Sequence, residues 1–113
     1  MLFEVILELN AKPDQSQALK NWLETNLPDT QAFDGCAAVH ALEHEENSSH
    51  IVLIGFWRSR KQWEQYFEWR KDRGDFETLA PMLQSEPKVQ CYTQFGEWNG
   101  GSNAIVMNRN AST

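Results

Sequence analysis

Basic charge, cysteine, histidine and long apolar runs are all scarce in this chain of 113 residues. Ten lysines and arginines face sixteen carboxylates, for a net charge of −6. That balance repels phosphate backbones and anionic lipid heads, so neither nucleic acid nor a membrane surface is an expected partner. No stretch nears the ~20 apolar residues of a membrane span. The N-terminal run MLFEVILELN sets Glu4 and Glu8 where a secretory signal needs an unbroken apolar core, and the expected compartment is the cytoplasm. Cys36 and Cys91 are too few and too far apart for a disulfide framework, belong to no CxxC pair, and read as buried thiols. His40 and His44 share one side of an expected strand, but at ~3.4 Å per residue they stand about 13 Å apart, too far to hold one ion. No metal site is expected.

What is present is patterning. A chain of this length fits one domain with a real core, expected over residues 1–96, followed by a flexible tail over 97–113 that is rich in Asn, Gly and Ser. Leu2 to Asn10 alternates Phe3, Val5, Leu7 and Leu9 against Glu4, Ile6, Glu8 and Asn10, the period of a strand. After Lys12-Pro13, Asp14 with Gln17 three residues on predicts a capped helix, packing Leu19, Trp22, Leu23 and Leu27 inward until Pro28 stops it. Trp22 is expected to be plain core. Gly35 opens a second strand with Cys36, Ala38, His40, Leu42 and His44 on one side. The tract 45–49 predicts a polar hairpin loop, and a third strand runs from His50 to Trp57. Ser59 and Gly74 bracket a second helix as N-cap and stop. A short helix over Phe76 to Gln84 and a fourth strand over Lys88 to Phe95 complete the order.

The result is β-α-β-β-α-β, an α+β, ferredoxin-like pattern with both helices on one face of an antiparallel sheet. Each strand also offers apolar side chains to the other face, as Ile6 does opposite Val5 and Ile54 and Phe56 do opposite Leu53. A single helical layer covers only one side, so a two-fold homodimer through the open sheet face is expected.

The second helix is aromatic beyond the needs of packing. At about 100° per residue, Trp69, Tyr66, Arg70, Trp63 and Phe67 follow one another around one arc, while Lys61, Glu64, Glu68 and Lys71 take the opposite side. Arg70 thus sits inside the apolar face. Its stem either packs along the rings with the guanidinium reaching water or a carboxylate, or the guanidinium presents donors to an anionic or phenolic ligand.

These residues resemble the antibiotic biosynthesis monooxygenase superfamily of dimeric α+β barrel proteins. The resemblance rests on the strand, Pro turn and helix at the start, on Phe33-Asp34-Gly35 opening the second strand, and on Trp57-Arg58-Ser59 between an apolar strand and an aromatic helix. It covers Phe3 to Phe95. It implies oxidation of a small aromatic molecule by O₂ without a cofactor in some branches, haem cleavage in others, and no assigned activity in many. The tryptophan lining the anthrone-oxidising pocket matches Trp57, but that pocket's tyrosine and asparagine match Trp63 and Leu53. The quinol branch's glutamate and histidine match Gly55 and Tyr66. The haem branch's downstream histidine has no counterpart, since no histidine follows His50, so haem cleavage is not expected.

The resemblance and the aromatic cluster imply a cofactor-independent oxygenase of a planar phenolic, quinol or polyketide-like compound. In that reading Tyr66 bonds a substrate oxygen, Arg70 stabilises a developing phenolate, and His40 is the general base, with His44 as the other histidine candidate. Trp57, Trp63, Trp69, Phe67, Leu53 and Leu42 line the substrate site. The alternative is a non-catalytic dimeric small-molecule-binding module of the same fold, which the substituted asparagine, glutamate and helix histidine favour.

Overall fold

The computed structural model describes residues 1–100, and the part of the expected tail at 101–113 lies outside the described residues. The strands are β1 (Phe3–Asn10), β2 (Cys36–His44), β3 (Asn47–Trp57) and β4 (Lys88–Thr93); the helices are α1 (Ser16–Ala32), α2 (Arg60–Asp72) and α3 (Asp75–Leu79). All pairings are antiparallel, and the strands lie in the order β2-β3-β1-β4. This is the expected ferredoxin-like α+β architecture.

Register fixes the two faces. Phe3, Val5, Leu7 and Leu9 of β1 stand beside Trp57, Gly55, Leu53 and Ile51 of β3, and this face meets the helices. One core cluster packs Leu9, Ile51 and Leu53 against Leu19 and Leu23 of α1 and Leu79 of α3. A second packs Phe3, Val5 and Trp57 against Phe33, Trp63 and Tyr66. Each buried aliphatic side chain of this kind contributes roughly 1.5–3 kcal/mol.

On the other face, Ile6, Val52, Ile54 and Phe56 alternate with these residues and are only half covered, while Leu42 and Tyr92 are exposed. All three histidines share it. His40 pairs with Ile54 and lies edge-on to Phe56 at 5.1 Å, His50 precedes the inward Ile51 and bonds Glu8 at 2.6 Å, and His44 stacks on His50. Among the described residues no helix is long and apolar enough to cross a membrane, and no three His, Cys, Asp or Glu are grouped to hold a metal.

Four local expectations need correction. Helix α1 runs through Pro28 to Ala32, because its last turns are held from outside, by Arg70 donating to the Asn26 carbonyl at 2.7 Å and to Thr30 Oγ1 at 2.9 Å. The Asp14–Gln17 box does not form: a 3₁₀ turn over Pro13–Gln15 precedes α1, and Gln17 donates to Asn21 instead. The loop between β2 and β3 is a tight turn at Glu45-Glu46, so β3 begins at Asn47. Finally, a bulge at Ala37 turns Cys36 to the helix face, away from Ala38 and His40, while Cys91 is exposed on the edge strand.

Candidate active site

Between the helices and the sheet lies a cavity of about 550 Å³, within the ~300–1,000 Å³ typical of small-molecule sites. Its floor is Val5, Leu7, Leu53 and Val89; Trp22, Leu23 and Leu27 of α1 form one wall, and Trp63, Tyr66, Phe67 and Arg70 of α2 another. Asp75, Phe76 and Leu79 of α3 close it, with Ser85, Glu86 and Pro87 at the mouth. The short α3 holds this position because Gly74, at φ +81°, reverses the chain after α2 and Phe67 packs on Phe76 at 5.0 Å.

Arg70 is the hub of the polar part. It is 4% exposed and engages four of its five N–H groups. Nε donates to Tyr66 Oη at 3.0 Å, Nη1 to Asp75 Oδ2 at 3.0 Å, and Nη2 to the Asn26 carbonyl and Thr30 Oγ1. Rings of Trp22, Tyr66 and Trp69 surround the cation, their centroids 4.8–5.7 Å from it. Burial alone draws the guanidinium pKa down, but the hydrogen bonds and charges of Tyr66 and Asp75 outweigh it and hold the group above its ordinary value. The Tyr66 hydroxyl also meets Thr30 Oγ1 at 2.7 Å.

The structure divides the expected site residues. Leu53, Trp63, Tyr66, Phe67 and Arg70 share the cavity wall. His40 and Leu42 do not join them, because their register partners Ile54 and Val52 point to the opposite face, and the sheet separates His40 from Tyr66 and Arg70. Trp57 is 1% exposed and packs beneath the cavity wall against Tyr66 at 4.9 Å and Phe33 at 6.3 Å. Trp69 packs on Phe33 and caps the cations of Arg70 and Arg73. Neither tryptophan lines the cavity.

Trp22, expected as plain core, is a wall residue, and it is joined by Asp75, Phe76 and Val89, which the sequence pattern does not mark as site residues. A signal for Asp75 existed in Gly74-Asp75, a carboxylate at a helix start one turn beyond a buried arginine. The cavity opens to solvent at its mouth and can stack a flat molecule between Trp22, Trp63 and Phe67.

The model of the family described as antibiotic biosynthesis monooxygenase matches residues 2–71. No curated protein matches the sequence. Among solved structures, a Deinococcus radiodurans protein named as a candidate antibiotic biosynthesis monooxygenase superposes with a TM-score of 0.79 at 15% identity, over 88% of this chain and 99% of its own. One from Nitrosomonas europaea, of the same candidate name, gives 0.71 at 19% identity over 83% and 99%. Another Nitrosomonas europaea protein, of unknown function, gives 0.75 at 20% identity over 89% and 96%. At these identities the likeness is one of fold.

Proposed function

Since the chain belongs to the antibiotic biosynthesis monooxygenase family, we propose that it oxidises a small planar phenolic, quinol or polyketide-like compound with O₂, without a cofactor, inside the cavity between the helices and the sheet. The observation that carries the proposal is that cavity: about 550 Å³, walled by Trp22, Trp63, Phe67 and aliphatic side chains. An anthrone-like member of this class supplies its own electrons from an activated ring methylene. Loss of a proton, which ends in the water formed, gives a carbanion delocalised onto phenolic oxygens, and this reduces O₂. One oxygen atom stays as the new carbonyl and the other leaves as water, so that R₂CH₂ + O₂ gives R₂C=O + H₂O, with all four electrons drawn from the carbon. The protein's part is to hold the ring in apolar surroundings, in a space whose walls Arg70 keeps apart. His40 has no place in this scheme, since it lies across the sheet.

A second reading, a binding module without turnover, is favoured by one observation: the Tyr66 hydroxyl and four N–H groups of Arg70 are already bonded to protein groups. Oxygen uptake with an anthrone decides between them. An oxygenase consumes one O₂ per anthrone and loses that activity when the cavity is filled. Quenching of tryptophan fluorescence by the anthrone with no uptake assigns the chain to the module.

In either case the proposal includes a homodimer through the open face, where Ile6, Val52, Ile54 and Phe56 lack a full cover. Sedimentation of Phe56→Asp is expected to give a monomer where the wild type gives a dimer; a wild-type monomer refutes this part. Two cysteines without a disulfide are in keeping with a cytoplasmic setting, which the proposal adopts.

A further inference from the structure

Asp75 is the first residue of α3, set at the end of α2 by the turn at Gly74. Its side chain is 8% exposed and lies on the cavity wall. The two carboxylate oxygens are treated differently. Oδ2 accepts from Arg70 Nη1 at 3.0 Å. Oδ1 is ion-paired with the half-exposed Arg73, whose Nε lies 3.7 Å away, beyond hydrogen-bond reach, and among the described residues no hydrogen bond ends on it. A buried carboxylate oxygen carries two lone pairs and is costly to leave without a donor.

We propose that Asp75 Oδ1 is the specificity-determining acceptor of this site: it takes a hydrogen bond from an O–H or N–H of the guest, so that the cavity selects flat molecules bearing a donor over isosteres that lack one. This rests on the cavity being the guest site, but it concerns binding and does not require oxidation. Four features argue for Asp75 over its neighbours. Arg70 fixes Oδ2 and so fixes the direction in which Oδ1 is offered. The hydroxyl of Tyr66 is spent on Arg70 and Thr30. Ser85 and Glu86 stand exposed at the mouth, where water already serves them. The rings and aliphatic groups of the remaining wall carry no strong acceptor. A site built around a buried acceptor that lacks a hydrogen bond rejects a partner that cannot donate far more strongly than an apolar pocket rejects a missing methylene.

The test is calorimetric titration of the purified protein with 2-naphthol and with 2-methoxynaphthalene, whose ether oxygen only accepts. The wild type is expected to bind the naphthol at least about ten-fold more tightly. In Asp75→Asn, Arg70 retains the amide oxygen and the NH₂ takes the place of Oδ1, so the preference is expected to vanish or invert. Glu86→Gln, at the rim, is expected to leave it intact. Equal binding of both compounds by the wild type overturns the assignment even if Asp75→Asn fails to fold, as does a preference lost in Glu86→Gln. Binding of neither compound removes the cavity reading and this inference with it, which separates that failure from the loss of selectivity alone.

Discussion

Replacing Arg70 by methionine separates a guanidinium that serves the substrate from one that holds the protein together. The side chains of Arg70 and Asp75 are 5% and 8% exposed, so the substitution leaves a carboxylate in the interior with its strongest partner gone and returns the Asn26 carbonyl and Thr30 hydroxyl to an incomplete set of bonds. Breaking a buried pair from one side costs about 3–5 kcal/mol, a large part of the 5–15 kcal/mol that holds a typical domain folded. With an m-value of about 1.5 kcal/mol/M in urea, the midpoint is expected to fall by roughly 2 M or more. The double variant Arg70→Met/Asp75→Leu removes the stranded charge as well, and is expected to recover at least about 2 kcal/mol of the loss. Arg60→Ala supplies the contrast: its pair with Glu64 is more than half exposed at both ends and is worth less than about 0.5 kcal/mol. A single variant at Arg70 that costs no more than the one at Arg60, or a double variant no better than the single, refutes the clamp and returns Arg70 to the role of a ligand-facing cation.

Three further outcomes follow from the geometry. Val89 stands at the cavity on the edge strand and is 42% exposed, so Val89→Trp is expected to weaken binding of an aromatic guest at least ten-fold while stability changes by less than about 0.5 kcal/mol, checked by titration and urea unfolding of the same samples. Gly35 has φ +94°, and a Cβ there would lie 2.5 Å from the Gln62 side chain; Gly35→Ala is expected to cost about 1–3 kcal/mol by the same unfolding assay. Burial raises the pKa of the Cys36 thiol, against smaller opposing effects of a backbone hydrogen bond at Ala38 and of the Arg58 charge. The folded state therefore holds the Cys36 proton longer than the unfolded chain, and this group's contribution to stability is full below the ordinary thiol pKa and lost as pH rises above it. Iodoacetamide at mildly alkaline pH is expected to label exposed Cys91 well before Cys36, read by mass spectrometry of the peptides.

The elements were legible because each carries its own period: alternation in β1 and β4, a one-sided stripe in α2, and Ser59, whose Oγ accepts from the Gln62 N–H as an N-cap should. What sequence could not supply was contact at long range. Pro28 reads as a stop, and it is overruled by a guanidinium 42 positions later. The wheel placed Arg70 among the rings but gave no view of Asn26, Thr30 and Asp75, which arrive from two other helices. His40 shows the limit most clearly. Alternation within β2 put it on the same side as Leu42, which holds, but which side that is depends on the β2–β3 register and on the bulge at Ala37. Local pattern gives parity along a strand and leaves open which face the helices cover.

The surplus of rings on α2 then has a physical account that neither simple core packing nor simple pocket lining provides. Trp63 and Phe67 face the cavity, while Tyr66 and Trp69 pack around Arg70, and Tyr66 touches both regions. An apolar cavity of this size between three helices and a sheet gains free energy by collapsing, unless its walls are held apart. Arg70 reaches α1 through Asn26 and Thr30 and α3 through Asp75, from its own place on α2. One guanidinium thus sets the spacing of all three helices that enclose the space, and the aromatic collar around it keeps water from loosening those bonds. On this account the cation that looks like the natural partner of a phenolate is instead the strut that keeps room for one. Selectivity toward the guest then falls to the carboxylate oxygen on the far side of the pair.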